Sequence, residues 1–154
     1  ENPRYPSLRE SFFTAYEARC RKPTLFPGVT ELLAAIDRKG LVWGIVTNKP
    51  QEFAEAIAAS TPAMARCAIV VGSRPGVPLK PAPDGILRAL KELALKPEQT
   101  LYTGDDRRDI EAGKAAGTST LLALWGYRPK DADTSLWAPD FTASSPEDII
   151  RLLP

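Results

Sequence analysis

The sequence predicts an α/β protein built on a doubly wound parallel sheet. Three observations lead to this fold class. Segments with the helical spacing of apolar residues alternate along the chain with short apolar segments. Residues 41–46 are apolar throughout, as expected for a strand that is covered on both faces. Gly40 and Gly117 each follow a helical segment, in the position where a left-handed residue ends a helix.

The first half of the chain predicts three helices and two strands. Ser7 and Glu10 form the capping-box pair that opens the first helix. The second helix carries Leu32 and Ile36 on one face and ends at Gly40. The elements that follow are a strand at 41–46, a helix at about 51–60 and a strand at 68–71.

The second half continues the alternation. A loop rich in proline and glycine at 74–78 precedes a helix that carries Ile86 and Leu90. A strand at 100–103 then delivers Asp105 at its carboxyl end. The remaining elements are a helix from about 108 to 117, a strand at 120–124 and a helix at 146–153.

Composition narrows the class of protein. The 154 residues fit one domain, which buries about two thirds of its unfolded surface. A net charge of +1 with 25% charged residues gives no polyanion-binding surface, so we expect no nucleic-acid partner. No apolar run reaches the roughly 18 residues of a membrane span, and no secretory signal pattern opens the chain. We therefore expect a soluble, cytoplasmic protein without a membrane partner.

Histidine and cysteine usage limits the chemistry. The chain has no histidine, which removes the usual catalytic triads and imidazole metal sites. Cys20 and Cys67 form no close-spaced pair and are interpreted as reduced thiols. A bound metal is therefore expected to be a hard cation with oxygen ligands.

Polar residues follow two of the predicted strands at their carboxyl ends, where open α/β sheets bind ligands. Thr47 and Asn48 follow the first strand, and Asp105 follows the strand at 100–103. Lys80 precedes Pro81 at the entry of a helix, where anions are favoured. Thr47 and Asn48 could equally be ordinary turn residues, and Lys80 could be a solvated surface lysine.

The acidic cluster Asp105, Asp106 and Asp109 lies within five residues at a strand-to-helix turn. Carboxylates this close raise one another's pKa unless a cation offsets them, which favours bound Mg²⁺. The alternative is structural. Asp106 or Arg107 would cap the helix, and Asp109 would only favour the positive end of its dipole.

Three ordered motifs resemble those of the haloacid dehalogenase superfamily. They are Val46-Thr47-Asn48-Lys49-Pro50, Lys80-Pro81-Ala82-Pro83-Asp84 and Gly104-Asp105-Asp106-Arg107-Arg108-Asp109-Ile110. They are similar to motifs II, III and IV of its Rossmann-like core. Within the superfamily, the chain resembles phosphoglycolate phosphatases and their relatives that act on sugar phosphates, including N-acetylmuramic acid 6-phosphate phosphatases.

The resemblance implies a phosphomonoesterase that works through a phospho-aspartyl enzyme and Mg²⁺ on a small phosphorylated metabolite. Thr47 would bind the phosphoryl group with help from the Asn48 backbone. Lys80 would neutralise charge on the phosphate and the nucleophile, and Asp105 would ligate Mg²⁺. Asp109 would orient a water or Lys80.

The chain departs from the family at motif I, the aspartate strand that supplies the nucleophile. No aspartate precedes Asp37, and Asp37 falls in a predicted helix. The resemblance therefore divides the chain into a remnant of a helical cap at 1–24 and a core domain at 25–154 that lacks its first strand. We expect an upstream segment in the parent protein, and no activity from these 154 residues alone.

Two other classes of protein remain open. A receiver-type phosphoacceptor also combines an acidic pair, a threonine and a lysine, but it places the acidic pair first in the chain. A degenerate member of the family would bind a phosphorylated ligand without turnover. Phosphoglycolate is the default substrate by analogy, with a sugar 6-phosphate as the rival, and the oligomeric state is left open.

Overall fold

The computed structural model describes residues 24–128 and 133–154. In this part of the chain, helices and parallel strands alternate as the sequence predicts. The elements are α1 (Val29–Arg38), β1 (Ile45–Pro50), α2 (Gln51–Ser60), β2 (Val70–Ser73), α3 (Asp84–Glu92), β3 (Leu101–Gly104), α4 (Arg107–Ala115), β4 (Ser119–Ala123), β5 (Phe141–Ala143) and α5 (Pro146–Leu152). The predicted first helix and nearly all of the predicted cap remnant lie outside the described residues.

The helix boundaries agree closely with the sequence. Helix α2 spans the predicted residues, and Gly40 and Gly117 adopt positive φ angles of 67° and 78° just after α1 and α4. A residue with a side chain would be strained at either position, so these glycines end their helices as expected.

The strand boundaries differ more from the prediction. Strand β1 begins at Ile45 rather than at residue 41, because its register with β2 starts at the pair Ile45 and Val70. It continues to Pro50, so Thr47 lies within the strand instead of after it. Strand β5 was not predicted at all. It is only three residues long, and its Phe141 is exposed. Such a short segment does not show the run of buried apolar residues that predicts a strand.

The strands form two parallel sheets. Strand β1 pairs with β2, and β4 lies between β3 and β5 in the second sheet. Within the described ranges, β1 and β3 are not hydrogen-bonded to each other. Asp105 directly follows β3, whereas Thr47 and Asn48 lie within β1.

Two apolar clusters hold the elements together. The first joins α1 and α5 to the second sheet and contains Leu32, Leu121, Ala143 and Ile149. The second joins α3 to α4. Its members are Ile86, Leu90, Ala112 and Ala116, with Val46, Leu95 and Tyr102 packed against them. This second cluster fixes β1 and β3 through side chains, because each strand contributes one residue to it.

Two further predictions can be compared with this part of the chain. Cys67 is a free thiol that donates a hydrogen bond to the Ile69 carbonyl, and burial raises its pKa. Cys20 lies outside the described residues.

Among the helices of residues 24–128 and 133–154, none has the length and apolar character needed to cross a bilayer.

Gln51 ties α2 to strand β2. Its side-chain amide donates to the Val70 carbonyl at 2.8 Å, and its side-chain oxygen accepts from the Gly72 N–H at 2.7 Å. Both backbone groups belong to the short strand β2. One side chain therefore pairs two peptide groups of this strand.

We expect Gln51→Ala to lower the free energy of unfolding by about 1–3 kcal/mol, because it removes two partly buried hydrogen bonds. Urea denaturation followed by circular dichroism measures this loss. Gln99→Ala is the matched control, since Gln99 is exposed and its replacement should change stability by less than about 0.5 kcal/mol. Equal stability of the Gln51 variant and the wild type would contradict this role.

Candidate active site

Lys80 is held in place through its backbone by Asn48. The Lys80 N–H donates to Asn48 Oδ1 at 2.9 Å, and Asn48 Nδ2 donates to the Lys80 carbonyl at 3.1 Å. The Lys80–Pro81 peptide bond is cis. Strand β1 therefore fixes the start of the segment that leads into α3.

The Lys80 ammonium lies between β1, β3 and α4. It donates to Asp109 Oδ1 at 2.7 Å, to the Val46 carbonyl at 2.9 Å and to the Tyr102 hydroxyl at 3.0 Å. The side chains of Lys80 and Asp109 are only 14% and 10% exposed. An ammonium has three N–H donors, so all of them are used within the protein.

Electrostatics keep Lys80 charged. Burial is the largest influence and lowers its pKa, but the attraction and hydrogen bonds of Tyr102 and Asp109 outweigh it and raise the pKa of Lys80 above its ordinary value. Burial also raises the pKa of Tyr102, so that phenol is neutral at neutral pH. Asp109 is therefore the partner that keeps the charge on Lys80 under those conditions.

Asp109 performs two tasks with its two oxygens. Oδ1 contacts Lys80, while Oδ2 accepts from the N–H groups of Asp105 at 3.2 Å and Asp106 at 3.1 Å. The second task is the return half of a capping box at the start of α4. Gly104 leaves the space for this carboxylate, since a Cβ there would overlap it.

Asp106 caps α4, as in the structural alternative. Its Oδ1 accepts from the Arg108 N–H, and its carboxylate forms an ion pair with the Arg108 guanidinium at 2.8 Å. These hydrogen bonds to Arg108 lower the pKa of Asp106 to about 2. In the described part of the chain, no three acidic or thiol side chains are placed to hold a metal.

Asp105 remains as the carboxylate available to a cation. Its Oδ2 accepts a 2.5 Å hydrogen bond from the Tyr127 N–H, and Gly126 allows that close approach. A single carboxylate fits Mg²⁺, which keeps several waters when bound to proteins. Asp106 and Asp109 fit less well, because their oxygens already serve Arg108, Lys80 and the helix cap.

Thr47 lines a small cavity with Lys80. Its hydroxyl accepts from the Lys49 N–H at 3.2 Å, which is a local hydrogen bond of the turn type. The cavity has a volume of about 40 Å³ and lies at the carboxyl ends of β1 and β2. Other residues that line it include Asn48, Gly72, Ser73 and Arg74. The structure therefore brings Thr47, Asn48 and Lys80 to one cavity and joins Lys80 to Asp109.

Sequence reasoning missed two groups of this site. One is the Val46 carbonyl, which no side-chain pattern reveals. The other is Tyr102, which looks like an ordinary strand residue in the sequence. A signal was present, because a tyrosine in a buried strand needs a hydrogen-bond partner for its hydroxyl.

The fold and the site together define a parallel α/β protein whose polar groups converge at the carboxyl ends of its strands. Residues 2–123 match the family model described as haloacid dehalogenase-like hydrolase. The chain therefore belongs to that family.

Curated relatives support the same assignment. An N-acetylmuramic acid 6-phosphate phosphatase from Pseudomonas aeruginosa is 36% identical over 99% of this chain and 68% of its own length. A phosphoglycolate phosphatase from Xanthomonas campestris is 38% identical over 93% of this chain and 65% of its own length. The chain thus spans about two thirds of the length of these relatives.

Solved structures share the fold. A haloacid dehalogenase-like hydrolase from Streptococcus pneumoniae matches with a TM-score of 0.86 and 25% identity, over 99% of this chain and 71% of its own. A structure from Haemophilus somnus, described as a predicted phosphoglycolate phosphatase, matches with a TM-score of 0.88 and 24% identity. It covers 99% of this chain and 68% of its own, and it shows the fold alone.

We expect Arg108→Ala to raise the pKa of Asp106 from about 2 towards its ordinary value of 3.8, because the largest cause of the lowering is removed. Carboxyl carbon chemical shifts across an acid titration measure this. In the wild type, the stability that Asp106 contributes is present above pH 3.8 and is lost as the pH falls through about 2. Arg107→Ala is the control, since Arg107 pairs with Glu111, and an equal shift there would contradict the assignment.

Proposed function

We propose that this chain forms most of the catalytic core of a magnesium-dependent phosphomonoesterase that works through a phospho-aspartyl intermediate. The observation that carries the proposal is the buried Lys80–Asp109 ion pair beside the cavity of Thr47. Phosphoryl transfer needs mainly positioning and charge neutralisation, and this site offers both. The curated relatives include phosphatases named for two different substrates, which supports the same chemistry.

Three residues would hold the transferring phosphoryl group. The Thr47 hydroxyl and the Asn48 N–H would donate to its oxygens from strand β1. The Lys80 ammonium would neutralise the negative charge shared between the phosphoryl group and the attacking carboxylate. Asp109 supports this role, because it keeps Lys80 charged in a buried place.

Asp105 would hold the cation. Mg²⁺ bound there would neutralise charge on the phosphoryl oxygens. Two neighbouring groups of the protein position Asp105. The Tyr127 N–H holds one of its oxygens, and Asp109 holds its backbone N–H.

The nucleophile would come from an aspartate on a strand that pairs between β1 and β3. Within the described ranges these strands are not paired with each other. A strand placed there would bring its carboxyl end next to Lys80 and Asp105, because parallel strands end at the same edge of a sheet. Its carboxylate would attack phosphorus while the P–O bond to the leaving oxygen breaks, and that oxygen would take a proton from water to leave as the alcohol. A second water would later hydrolyse the acyl phosphate to the carboxylate and inorganic phosphate.

The substrate is proposed to be a small phosphorylated metabolite. Phosphoglycolate and a sugar 6-phosphate such as N-acetylmuramic acid 6-phosphate are the two candidates, because relatives of both names match the chain at similar identity. Residues 1–24, proposed as the end of a cap, would contribute to this choice. The cytoplasm remains the predicted location.

We expect residues 1–154 alone to leave p-nitrophenyl phosphate intact, whereas the protein as its gene encodes it hydrolyses this ester with Mg²⁺. The physical reason is the absence of an aspartate nucleophile from the site. The visible absorbance of the released p-nitrophenolate ion measures this hydrolysis. Magnesium-dependent turnover by residues 1–154 that is lost in Asp105→Asn would contradict the proposed source of the nucleophile.

Lys80→Ala should lower kcat/KM of the gene-encoded protein by about a hundredfold or more, as removal of one transition-state charge partner typically does. Lys91→Ala is the matched control. Lys91 is exposed on α3, and its replacement should leave the rate unchanged. An equal rate for the Lys80 variant and the wild type would remove Lys80 from the site.

A further inference from the structure

Phe26 and Tyr127 form an aromatic pair beside the proposed cation site. Their ring centres lie 5.2 Å apart, and the ring planes are tilted by 54°. Tyr127 is 84% exposed within the described residues. Contact with the Phe26 ring therefore accounts for much of the packing that the Tyr127 side chain has there.

The first apolar cluster brings the two rings together. Phe26 lies just before α1, its carbonyl accepts a hydrogen bond from the Val29 N–H at 3.1 Å, and Leu32 of α1 belongs to this cluster. Trp125 lies in the loop after β4, two residues before Tyr127, and packs against the same cluster. The packing of α1 on β4 therefore fixes both members of the aromatic pair.

The backbone of Tyr127 links this pair to Asp105. The Tyr127 N–H donates to Asp105 Oδ2 at 2.5 Å. This hydrogen bond uses one carboxylate oxygen and fixes the direction in which the other oxygen faces. The orientation of the carboxylate thus depends on the position of Tyr127, and the position of Tyr127 depends on the Phe26 ring.

These contacts lie on the side of β3 that is already paired. Strand β3 pairs with β4 along its whole length, Leu101–Gly104. The strand proposed between β1 and β3 would pair with the opposite edge of β3, and β1 takes no part in the aromatic pair or in the hydrogen bond to Asp105. We therefore expect the same contacts in the protein as its gene encodes it.

We propose that Phe26 is a positioning residue for the Asp105 carboxylate, an inference that rests on the proposed function. Its ring holds Tyr127, and the Tyr127 N–H holds one oxygen of Asp105 so that the other faces the cation. A carboxylate that is already ordered loses less side-chain freedom when it binds Mg²⁺. Without the Phe26 ring, this ordering occurs only on binding, and the affinity for the cation falls.

Phe26→Leu tests this inference, because it removes the ring and keeps an apolar side chain. In the gene-encoded protein, we expect the Kd for Mn²⁺, which prefers the same oxygen ligands as Mg²⁺, to rise about two- to tenfold, the usual cost of ordering one side chain. Electron paramagnetic resonance of the unbound Mn²⁺ measures this Kd without substrate or turnover. Phe26→Tyr keeps a ring and should keep the wild-type Kd, so equal losses in the two variants would overturn the inference.

Tyr127→Leu tests the path from Phe26 to Asp105. We expect it to raise the Kd for Mn²⁺ by a similar factor. The double variant should bind no more weakly than either single variant, because both substitutions break the same series of contacts. Losses that multiply in the double variant would show independent effects and would contradict the positioning role.

Phe141→Leu is the matched control. Phe141 is also partly exposed, and it is the first residue of β5, at the opposite end of the sheet from Asp105. This variant loses one ring far from the cation site and should keep the wild-type Kd for Mn²⁺. A loss equal to that in Phe26→Leu would mean that the effect is not specific to the aromatic pair, and the inference would be wrong.

The two proposals fail in different ways. If the wild type binds no Mn²⁺, or if Asp105→Asn leaves the binding unchanged, the proposed cation site and this inference are both wrong. If Asp105→Asn weakens the binding and Phe26→Leu does not, the positioning role is wrong and the proposed function stands. If the wild type binds Mn²⁺ but hydrolyses no phosphomonoester, the proposed activity is wrong, and the Kd values still decide the role of Phe26.

Discussion

The ion pair between Lys80 and Asp109 determines the organisation of the candidate site. Asp109 lies in the first turn of α4 and holds the N–H groups of Asp105 and Asp106, while Lys80 is fixed to β1 through Asn48. Two charges buried to this extent are tolerated only when their remaining donors and acceptors are satisfied. Here that requirement is met by the Val46 carbonyl, the Tyr102 hydroxyl and the cap of α4.

This ion pair also connects the two sheets. Strands β1 and β3 belong to separate sheets within the described residues, yet Lys80 contacts a backbone carbonyl of one and a side chain of the other. The second apolar cluster adds Val46 and Tyr102 to the same connection. Within the described residues, the distance between the two groups of polar residues is therefore set by side chains.

Much of this could be predicted from the sequence, because periodicity and turn residues are local signals. Helix α2 and the glycines that end α1 and α4 were predicted closely. Thr47, Asn48 and Lys80 line one cavity, as the sequence predicted for a common site, and the Asn48 side chain joins β1 to the Lys80 backbone. Strand β5 was not predicted, and the predicted start of β1 at residue 41 is wrong, because both depend on pairing with another strand.

The individual roles of the three aspartates could not be predicted either, because each role depends on the partner that the side chain meets in the folded protein. Three neighbouring carboxylates in a sequence give no information about which way each side chain points. Arg108 determines the role of Asp106, and Lys80 determines the role of Asp109. Lys80 is far from Asp109 in the sequence, so this contact could not be predicted from local signals. Among the contacts of the described residues, both carboxylate oxygens of Asp106 and of Asp109 are used, whereas Asp105 uses one, for the Tyr127 N–H.

Gly126 shows how closely the space around the Asp105 carboxylate is filled. A Cβ at this position would overlap the Asp105 carboxylate. Even alanine, the smallest replacement, would push that carboxylate away from the place where the loop after β4 holds it. An exchange at residue 126 would therefore displace the Asp105 carboxylate, although the two residues are far apart in the sequence.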